Sequence, residues 1–529
     1  KQGLSMLARS KFSIKTLWNR ASKKYSAQSK NPIYVFNSLS KTKEPLKLRN
    51  NVLYWYSCGP TVYNSAHLGH ASSYVNFDII KRILTNYFHI NVVNLMNITD
   101  IDDKIIVRSI KEKKNFLDIT QFYEKEFLDD LSLLNCVKPS IILRVTDHVE
   151  EILKFIQTLV DLKKAYATSS GSVYFDSQNF HIRSFFEQVQ TDMDNDSKDN
   201  REKRHPYDFA LWKARKEDSE PSWPSPWGPG RPGWHIECST LANVAFGRDI
   251  DFHSGGKDLI FPHHHNEMVQ CCAFHGIDKW SSFWLHTGHL HLKNDVKMSK
   301  SLSNTISIRD MLSKYTTNHF RMFCLLSPYR NNKEFSDDKM VKPVNLVNSF
   351  MSFLNLVDKF ANKKIKTLEF RANENEVLQK LEGTRKKIHA ALSNDFDTCL
   401  VIDELTDLVN FMNKNFQSCA TIRPVDDFNR HYGCVMSVHN FTKWILEMLG
   451  LVFDEEKYKT SSLKIDDIVE PSLKFRNLIR NFALDKDRNL SKEIKMELLQ
   501  YCDDFRKNLN QSNIEFKDHK TETIWKIKS

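Results

Sequence analysis

His67 and His70 stand three residues apart around a Leu-Gly pair, at the point where one kind of sequence pattern gives way to another. Before them Val52 to Tyr56 is a short apolar run of strand type, and after them residues 71–87 carry a helical apolar period. Residues three apart at a helix start share one face of its first turn. The first N–H groups of a helix are unpaired and carry partial positive charge, which makes the site ready for phosphate. His-x-Gly-His here therefore predicts a grip on nucleotide phosphate, with Gly69 letting the phosphate near the backbone and the Cys58 thiol aimed into the same crevice. Alone, the pattern also fits an ordinary strand-turn-helix with surface histidines. A second set is Cys58, Cys238, His263 and Glu267. His263 and Glu267 are four apart where a helix is predicted to open, so they share a face, and each cysteine is placed where a strand gives way to a turn. Two thiolates, an imidazole and a carboxylate make a tetrahedral zinc set. The ligands come from three distant places, however, and buried cysteine is more often a small core hydrophobe, so spacing leaves both readings open. Lys297 and Lys300 fall in a polar run, 293–303, that predicts a mobile lysine-bearing loop.

The elements that must carry these residues predict an α/β chain. Asn91 to Leu95 reads as a second buried strand, so strand, helix and strand form a right-handed βαβ unit. The polar cluster Asn97 to Lys104 follows the strand's carboxyl end, where open α/β sheets bind ligands, and it places Thr99 to touch a small substrate. Asp100, Asp102 and Asp103 read as caps and salt bridges. Residues 104–134 are predicted helical. The stretch 140–200 reads as an insertion, with a helix over 149–162, a strand over 172–175 and a solvated loop over 190–200. A Pro-, Trp- and Gly-dense run, 221–234, predicts a rigid irregular loop, followed by a helix from Thr240 to Phe246. A strand ending in the glycine turn at Ser254 to Asp258, a helix to about Phe274 and a strand over 283–286 complete this part. Beyond Pro328 helical periods dominate, first at Val347, Phe350, Met351, Leu354 and Val357, then at Ile402, Leu405, Leu408, Val409 and Met412. The expected order is thus a leader, 1–45; a Rossmann-like parallel-sheet domain in two halves, 46–139 and 206–328, split by an inserted connective subdomain, 140–205; an α-helical bundle, 329–455; and a small C-terminal domain, 456–529.

Composition limits the class. The chain has 529 residues, 41% hydrophobic and 27% charged, as in globular proteins. No apolar run is long enough to span a bilayer. Ten cysteines without a Cys-x-x-Cys pair make no disulfide framework, and reduced thiols are expected. The net charge of +11 is misleading, because residues 1–43 hold ten Lys or Arg and no acid, and removing those ten leaves +1. That basic, Ser-rich, acid-free start resembles a mitochondrial transit peptide and predicts a mitochondrial matrix address, with a cytoplasmic one if the segment is instead a basic RNA-contacting arm.

Together the motifs resemble class I aminoacyl-tRNA synthetases, and specifically the cysteinyl-tRNA synthetase family. The resemblance rests on Cys58-Gly-Pro-Thr-Val-Tyr63, His67-Leu-Gly-His70, Asn97-Ile-Thr-Asp-Ile-Asp-Asp-Lys-Ile-Ile106, Gly230-Arg-Pro-Gly-Trp-His-Ile-Glu-Cys238-Ser, Phe261-Pro-His-His and an unaltered Lys297-Met-Ser-Lys-Ser301. It implies that Cys58, Cys238, His263 and Glu267 hold one Zn2+ inside the amino-acid pocket. Cysteine and serine are nearly isosteric, so shape discriminates weakly, whereas zinc prefers thiolate sulfur. A discrimination of ~10⁴ needs roughly 5.5 kcal/mol. The family also places Gly59, Thr99 and His263 against L-cysteine, with Trp234 walling the pocket. It implies that His67 and His70 hold the ATP phosphates during adenylate formation, that Lys297 and Lys300 close over them, with Lys300 the leading candidate for ATP contact, and that Mg2+ accompanies ATP. The turn carrying Gly255, Gly256 and Asp258 is expected to border the adenosine. The acceptor would be tRNA(Cys), gripped by the bundle and the C-terminal domain, where Trp525 is a stacking candidate. A monomer without membrane contact is expected. One departure concerns pyridoxal phosphate: a Lys-Ile-Ile-Lys motif linked to persulfide synthesis in some members reads Lys104-Ile-Ile-Val107 here, which puts that activity in doubt. A cysteine-adenylating ligase with a small-amine acceptor and a non-catalytic RNA-binding relative are the competing readings.

Overall fold

The computed structural model describes residues 32–48, 51–178, 202–248, 250–292, 296–297, 305–361, 368–418, 425–453, 465–485, 490–511, 514–518 and 523–527. Residues 1–31 of the expected leader over 1–45, the solvated loop over 190–200 and Lys300 lie outside them, whereas residues 34–45 of that leader form a described hairpin. The chain divides into two compact units, Lys1–Val452 and Phe453–Ser529.

The first unit opens with a hairpin, β1 (Tyr34–Asn37) and β2 (Thr42–Pro45). Strand β3 (Val52–Ser57) then leads through the Cys58 turn into helix α1 (Leu68–Arg82). Ala71, Val75, Ile79 and Ile80 bury one side of α1, and Lys81 and Arg82 close its last turn, where cations suit the helix dipole. After one π-helical turn the chain returns as β4 (Asn91–Ile98), three residues longer than the apolar run predicts because Met96, Asn97 and Ile98 continue the ladder. Helices α2 (Asp103–Glu112) and α3 (Phe116–Leu133) follow, capped by Asp102 and Asn115. Asp103 pairs with Lys213 at 2.7 Å and with Arg231, whereas Asp100 is buried and accepts from the Thr146 amide at 3.0 Å.

The predicted insertion boundary at 140 is corrected by the next strand. β5 (Ile141–Arg144) pairs in parallel with β4, and helix α4 (Val149–Asp161) packs on the main core. A four-residue edge strand is too short to announce its sheet in sequence. The inserted piece is instead an antiparallel four-stranded sheet of β6 (Ala165–Ala167), β7 (Val173–Phe175), β8 (Phe209–Ala214) and β9 (Gly230–Pro232). The predicted boundary at 206 therefore also falls within it. Helix α5 (Trp234–Phe246) begins six residues earlier than Thr240, because Gly233 in extended conformation ends the Pro-rich run as its N-cap.

Strand β10 (Ile250–Gly256), helix α6 (His265–His275) and strand β11 (Ser281–Thr287) complete the core. The central sheet has order β11-β10-β3-β4-β5 and is parallel throughout. Strand order reverses between β3 and β10, and a crevice opens at their carboxyl ends, where open α/β sheets take ligands. Cys58 lies in that crevice, its amide donating to the Ser254 carbonyl at 2.9 Å. A three-stranded sheet of β12 (Leu290–Leu292), β13 (Val296–Lys297) and β14 (Lys333–Phe335) flanks it, with helices α7 (Ile308–Lys314) and α8 (Thr317–Leu325) between the last two.

The helical part comprises α9 (Asp337–Ala361), α10 (Glu374–Ser393), α11 (Thr398–Asn415) and α12 (Val425–Met448), with a two-stranded ladder of β15 (Leu368–Phe370) and β16 (Phe416–Ser418). Val347, Phe350, Leu354 and Val357 of α9 are buried, as are all five periodic residues of α11, while Met351 is half-buried. Each such side chain contributes roughly 1.5–3 kcal/mol. Arg321 of α8, wholly buried, ties this part to the sheet. It donates to Asp78 of α1, to the Leu134 carbonyl at 3.0 Å and to the Leu449 carbonyl at 2.9 Å.

The second unit pairs helices α13 (Ile465–Leu484) and α14 (Lys492–Gln511) with a hairpin of β17 (Ile514–Asp518) and β18 (Thr523–Ile527). Val469, Leu473, Ile514 and Phe516 form its small core, and the Arg476 guanidinium lies 4.8 Å from the Phe516 ring centre. Trp525 sits opposite Phe516 in the hairpin register.

Candidate active site

Cys58, Cys238, His263 and Glu267 meet at the mouth of the β3–β10 crevice. Each offers a donor atom within 4.8 Å of the others, and all four are buried. The turn after β3 supplies Cys58. Cys238 comes from within α5, not from a strand end as the sequence predicts, because that helix starts at Trp234. α6 supplies Glu267, one helical turn after His263, whose Nε2 lies 3.0 Å from Glu267 Oε1. The Cys58 Sγ donates to Cys238 Sγ at 3.9 Å, and both cysteines are free thiols. Around them stands a shell of imidazoles. His253 Nε2 is 2.9 Å from Glu267 Oε2, His264 Nε2 is 3.3 Å from Cys58 Sγ, and His264 Nδ1 is 2.7 Å from His286 Nε2. His253 and His264 form a second potential donor group with Cys58 and Glu267.

The electrostatics of this cluster call for a cation. Burial pushes the Cys58 thiol well up, with the hydrogen bond to Cys238 adding to it. Burial also opposes charge on Cys238, but the hydrogen bond from Cys58 and the neighbouring His263 bring that thiol down to about 6. For His263 burial is outweighed by Glu267 and Cys238, which lift it to about 10. For Glu267 burial is outweighed by His253 and His263, which hold it at about 2. A thiolate and a carboxylate thus face one proton on His263, which leaves the cluster one net negative charge. Burial keeps His264 far below its usual range and His286 at about 3, so both are neutral. Two sulfurs, one nitrogen and one oxygen in a dry pocket suit zinc, and the second group, with one sulfur, suits it less well. His253 then fits as the partner that orients Glu267.

The expected nucleotide side lies at the start of α1. His67 is its N-cap and accepts from the Gly69 amide through Nδ1 at 3.1 Å, while His70 Nδ1 accepts from the His67 amide at 3.3 Å. The rings stack, with centres 4.0 Å apart. Because a backbone N–H can only donate, each Nδ1 is an acceptor, and the proton of each neutral ring sits on Nε2. The backbone of His67 bridges that of Ser307, and the Leu68 amide donates to the Ile306 carbonyl at 3.1 Å. Lys297 pairs with His291 at the end of β13. Both flanks of residues 298–304 are thus anchored to strands and to the start of α1.

The remaining predicted residues line the same crevice. The Gly59 amide donates to Asn97 Oδ1 at 2.8 Å, and a Cβ on Gly59 would stand 1.7 Å from the Asn97 carbonyl oxygen. The Thr99 hydroxyl donates to Glu237 Oε2 at 3.2 Å. Trp234, 37% exposed, stacks on His263 with ring centres 4.3 Å apart. Gly255 is buried against His264, whose Cε1 would lie 2.8 Å from an added Cβ, and the Asp258 carboxylate sits beside Gly256. His253, His264, His286, Asn97 and Glu237 escape sequence reasoning. The His-His-His run at 263–265 and the alternation of β10 were the available signals, but only strand register reveals which side chains point inward.

Residues 45–345 match the family model for "tRNA synthetases class I (C) catalytic domain". Among curated proteins the chain is 39% identical to "Probable cysteine--tRNA ligase, mitochondrial" of Xenopus tropicalis, covering 94% of this chain and 89% of that one. It is 34% identical to "Cysteine--tRNA ligase" of Encephalitozoon cuniculi, covering 93% and 99%, and 34% identical to a cytoplasmic form from Dictyostelium discoideum, covering 90% and 74%. Among solved structures it resembles Mycobacterium tuberculosis methionyl-tRNA synthetase bound by methionyl-adenylate, with TM-score 0.58 and 14% identity over 75% of this chain and 91% of that chain. That likeness shows the fold.

Proposed function

The chain belongs to the cysteine-tRNA ligase family of class I aminoacyl-tRNA synthetases, and we propose that its buried Cys-His-Glu cluster is the zinc site by which it selects cysteine. It is an enzyme that attaches cysteine to tRNA. Cys58, Cys238, His263 and Glu267 would hold the ion, and zinc there would offer the substrate thiol a soft Lewis acid that a serine hydroxyl cannot match. ATP lies along the start of α1. The cysteine carboxylate attacks the α-phosphorus, giving cysteinyl-adenylate and pyrophosphate, and negative charge grows on the phosphoryl oxygens. His67 and His70, protonated on Nε2, donate to those oxygens beside the helix N-terminus. Lys297, at the end of β13, and Lys300, three residues on in sequence, neutralise the leaving pyrophosphate, and Mg2+ bound with ATP would serve as its counter-ion. Gly255, Gly256 and Asp258 border the adenosine. The terminal ribose hydroxyl of tRNA(Cys) then attacks the mixed anhydride. The basic, acid-free segment over 1–43 and the mitochondrial relative support a mitochondrial matrix address. Val107, exposed on α2, stands where the persulfide-forming motif has its second lysine, so pyridoxal phosphate has no part in this reading.

The convergence of the four ligands from β3, α5 and α6 carries the proposal. Pyrophosphate exchange with cysteine and serine side by side tests it. Cysteine should be favoured by about 10⁴ or more, as zinc-thiolate selection without editing requires, and zinc removal should abolish the preference. Equal use of serine, or exchange indifferent to a chelator, would overturn it.

A further inference from the structure

Helix α3 reaches α1 and its leading turn through side chains. Phe127 sets its ring edge-on to that of Tyr74 on α1, with centres 5.1 Å apart. One residue earlier, Glu126 Oε2 accepts from the Ser65 hydroxyl at 2.9 Å. Ser65 lies in the turn that delivers His67, the N-cap of α1. One helical turn later, Asp130 Oδ1 accepts from Arg309 Nε of α7 at 3.1 Å. Residues four apart on a helix share a face, so Glu126 and Asp130 serve the same neighbourhood.

The two segments tied in this way meet at His67. Its backbone bridges that of Ser307, the N-cap of α7, and the Leu68 amide donates to the Ile306 carbonyl at 3.1 Å. The histidine pair is thus bordered by residues 65–68 and 306–309, and α3 holds each segment by one carboxylate. The tie to α7 is more than a surface ion pair. The Asp130 side chain is 3% exposed, and among the described residues Arg309 is the only cation that pairs with it. A buried carboxylate that loses its cation is strongly destabilising, which keeps α7 against α3. The first three amides of α1 are engaged within the protein, that of Leu68 by Ile306 and those of Gly69 and His70 by the His67 ring. Holding phosphate therefore falls to the imidazole edges, and ring placement matters more than the helix terminus.

We propose that Glu126 and Asp130 are positioning residues for the His67–His70 pair, acting through Ser65 and Arg309. They fix the two segments that border the imidazoles, and so set where the Nε2 donors stand as charge develops on phosphate. This rests on the nucleotide role proposed for the two histidines above. Misplacing a reacting group by about 1 Å can slow chemistry by about a hundredfold. The metal cluster comes from the β3 turn, α5 and α6, and its four residues make no hydrogen bond or ion pair with Ser65, Glu126, Asp130 or Arg309.

Pyrophosphate exchange, with ATP varied and then cysteine varied, tests this. In Ser65→Ala, Glu126→Ala and Arg309→Met the kcat/KM for ATP should fall about fivefold or more, while the KM for cysteine stays within about twofold. Ser65→Ala/Glu126→Ala should be little worse than either single variant, because each removes the same hydrogen bond. Ser65→Ala/Arg309→Met frees both segments and should be worse than either. Arg309→Lys keeps a cation and should recover most of the loss. If Arg309→Met does not fold, Ser65→Ala and Glu126→Ala carry the prediction. Absence of exchange in the wild type, or exchange unchanged in His67→Ala and His70→Ala, would remove the parent reading and this inference together. Large losses in those histidine variants, with the Ser65, Glu126 and Arg309 variants within about twofold of wild type for ATP or with both KM values rising in step, would overturn the positioning role alone.

Discussion

Four side chains from three elements define the cluster, and their protonation makes a quantitative prediction. With the His263 imidazole lifted to about 10, its proton is present at pH 7, and the Cys58 thiol, pushed well up, keeps its own. Cys238, at about 6, is largely thiolate, and Glu267, at about 2, is ionised. Metal binding needs both thiolates and a neutral imidazole, so about two protons should leave per zinc at neutral pH. Titration calorimetry in buffers of different ionisation enthalpy should find them, with affinity rising as pH rises, because protons and metal compete for Cys58 and His263. The histidine pair of α1 was legible in sequence because it sits in one compact motif, whereas the four cluster residues were assigned only through the family resemblance, since their spacing left a core reading open. Asn97 and Glu237 were not legible, since an Asn in a strand and a Glu in an apolar helix carry no signal until register brings them to Thr99.

Helix and strand boundaries decide how these residues meet. The crevice exists because β3 and β10 are neighbours whose crossovers run in opposite directions, so their carboxyl ends are uncovered. The βαβ unit was readable from its apolar runs and the 3.6-residue period of α1. The insertion was misplaced by about 25 residues, because the short β5 gives no alternation and its pairing with β4 is a tertiary fact. Cys238 was placed on a strand end for a related reason: the Pro-rich run conceals that Gly233 starts a helix. The turn after β3 is packed without slack. Gly59→Ala puts a methyl 1.7 Å from the Asn97 carbonyl oxygen, so β3 and β4 must part. It should lose about 1–3 kcal/mol in urea unfolding and raise the KM for cysteine, whereas an unchanged midpoint with normal KM would show the contact to be slack.

Across the first unit, Arg321 joins parts distant in sequence: Asp78 on the helix capped by His67, Leu134 after α3 and Leu449 after α12. Removing the guanidinium leaves Asp78 buried, 5% exposed, with Arg82 as its remaining cation. Arg321→Met should therefore cost about 3–5 kcal/mol, and adding Asp78→Asn should recover part of it, as thermal unfolding of the two variants can show. The long periods of α9 and α11 made this helical part legible, whereas the arginine could not be read, because its partners converge only in the folded chain. The same holds for the whole account, which rests on distant residues sharing one ion. X-ray absorption at the zinc edge tests it most directly. The enzyme as purified should show two sulfur ligands near 2.3 Å. Addition of cysteine should add a third and serine none. Zinc with no sulfur ligands, or a sulfur count indifferent to cysteine, would contradict it.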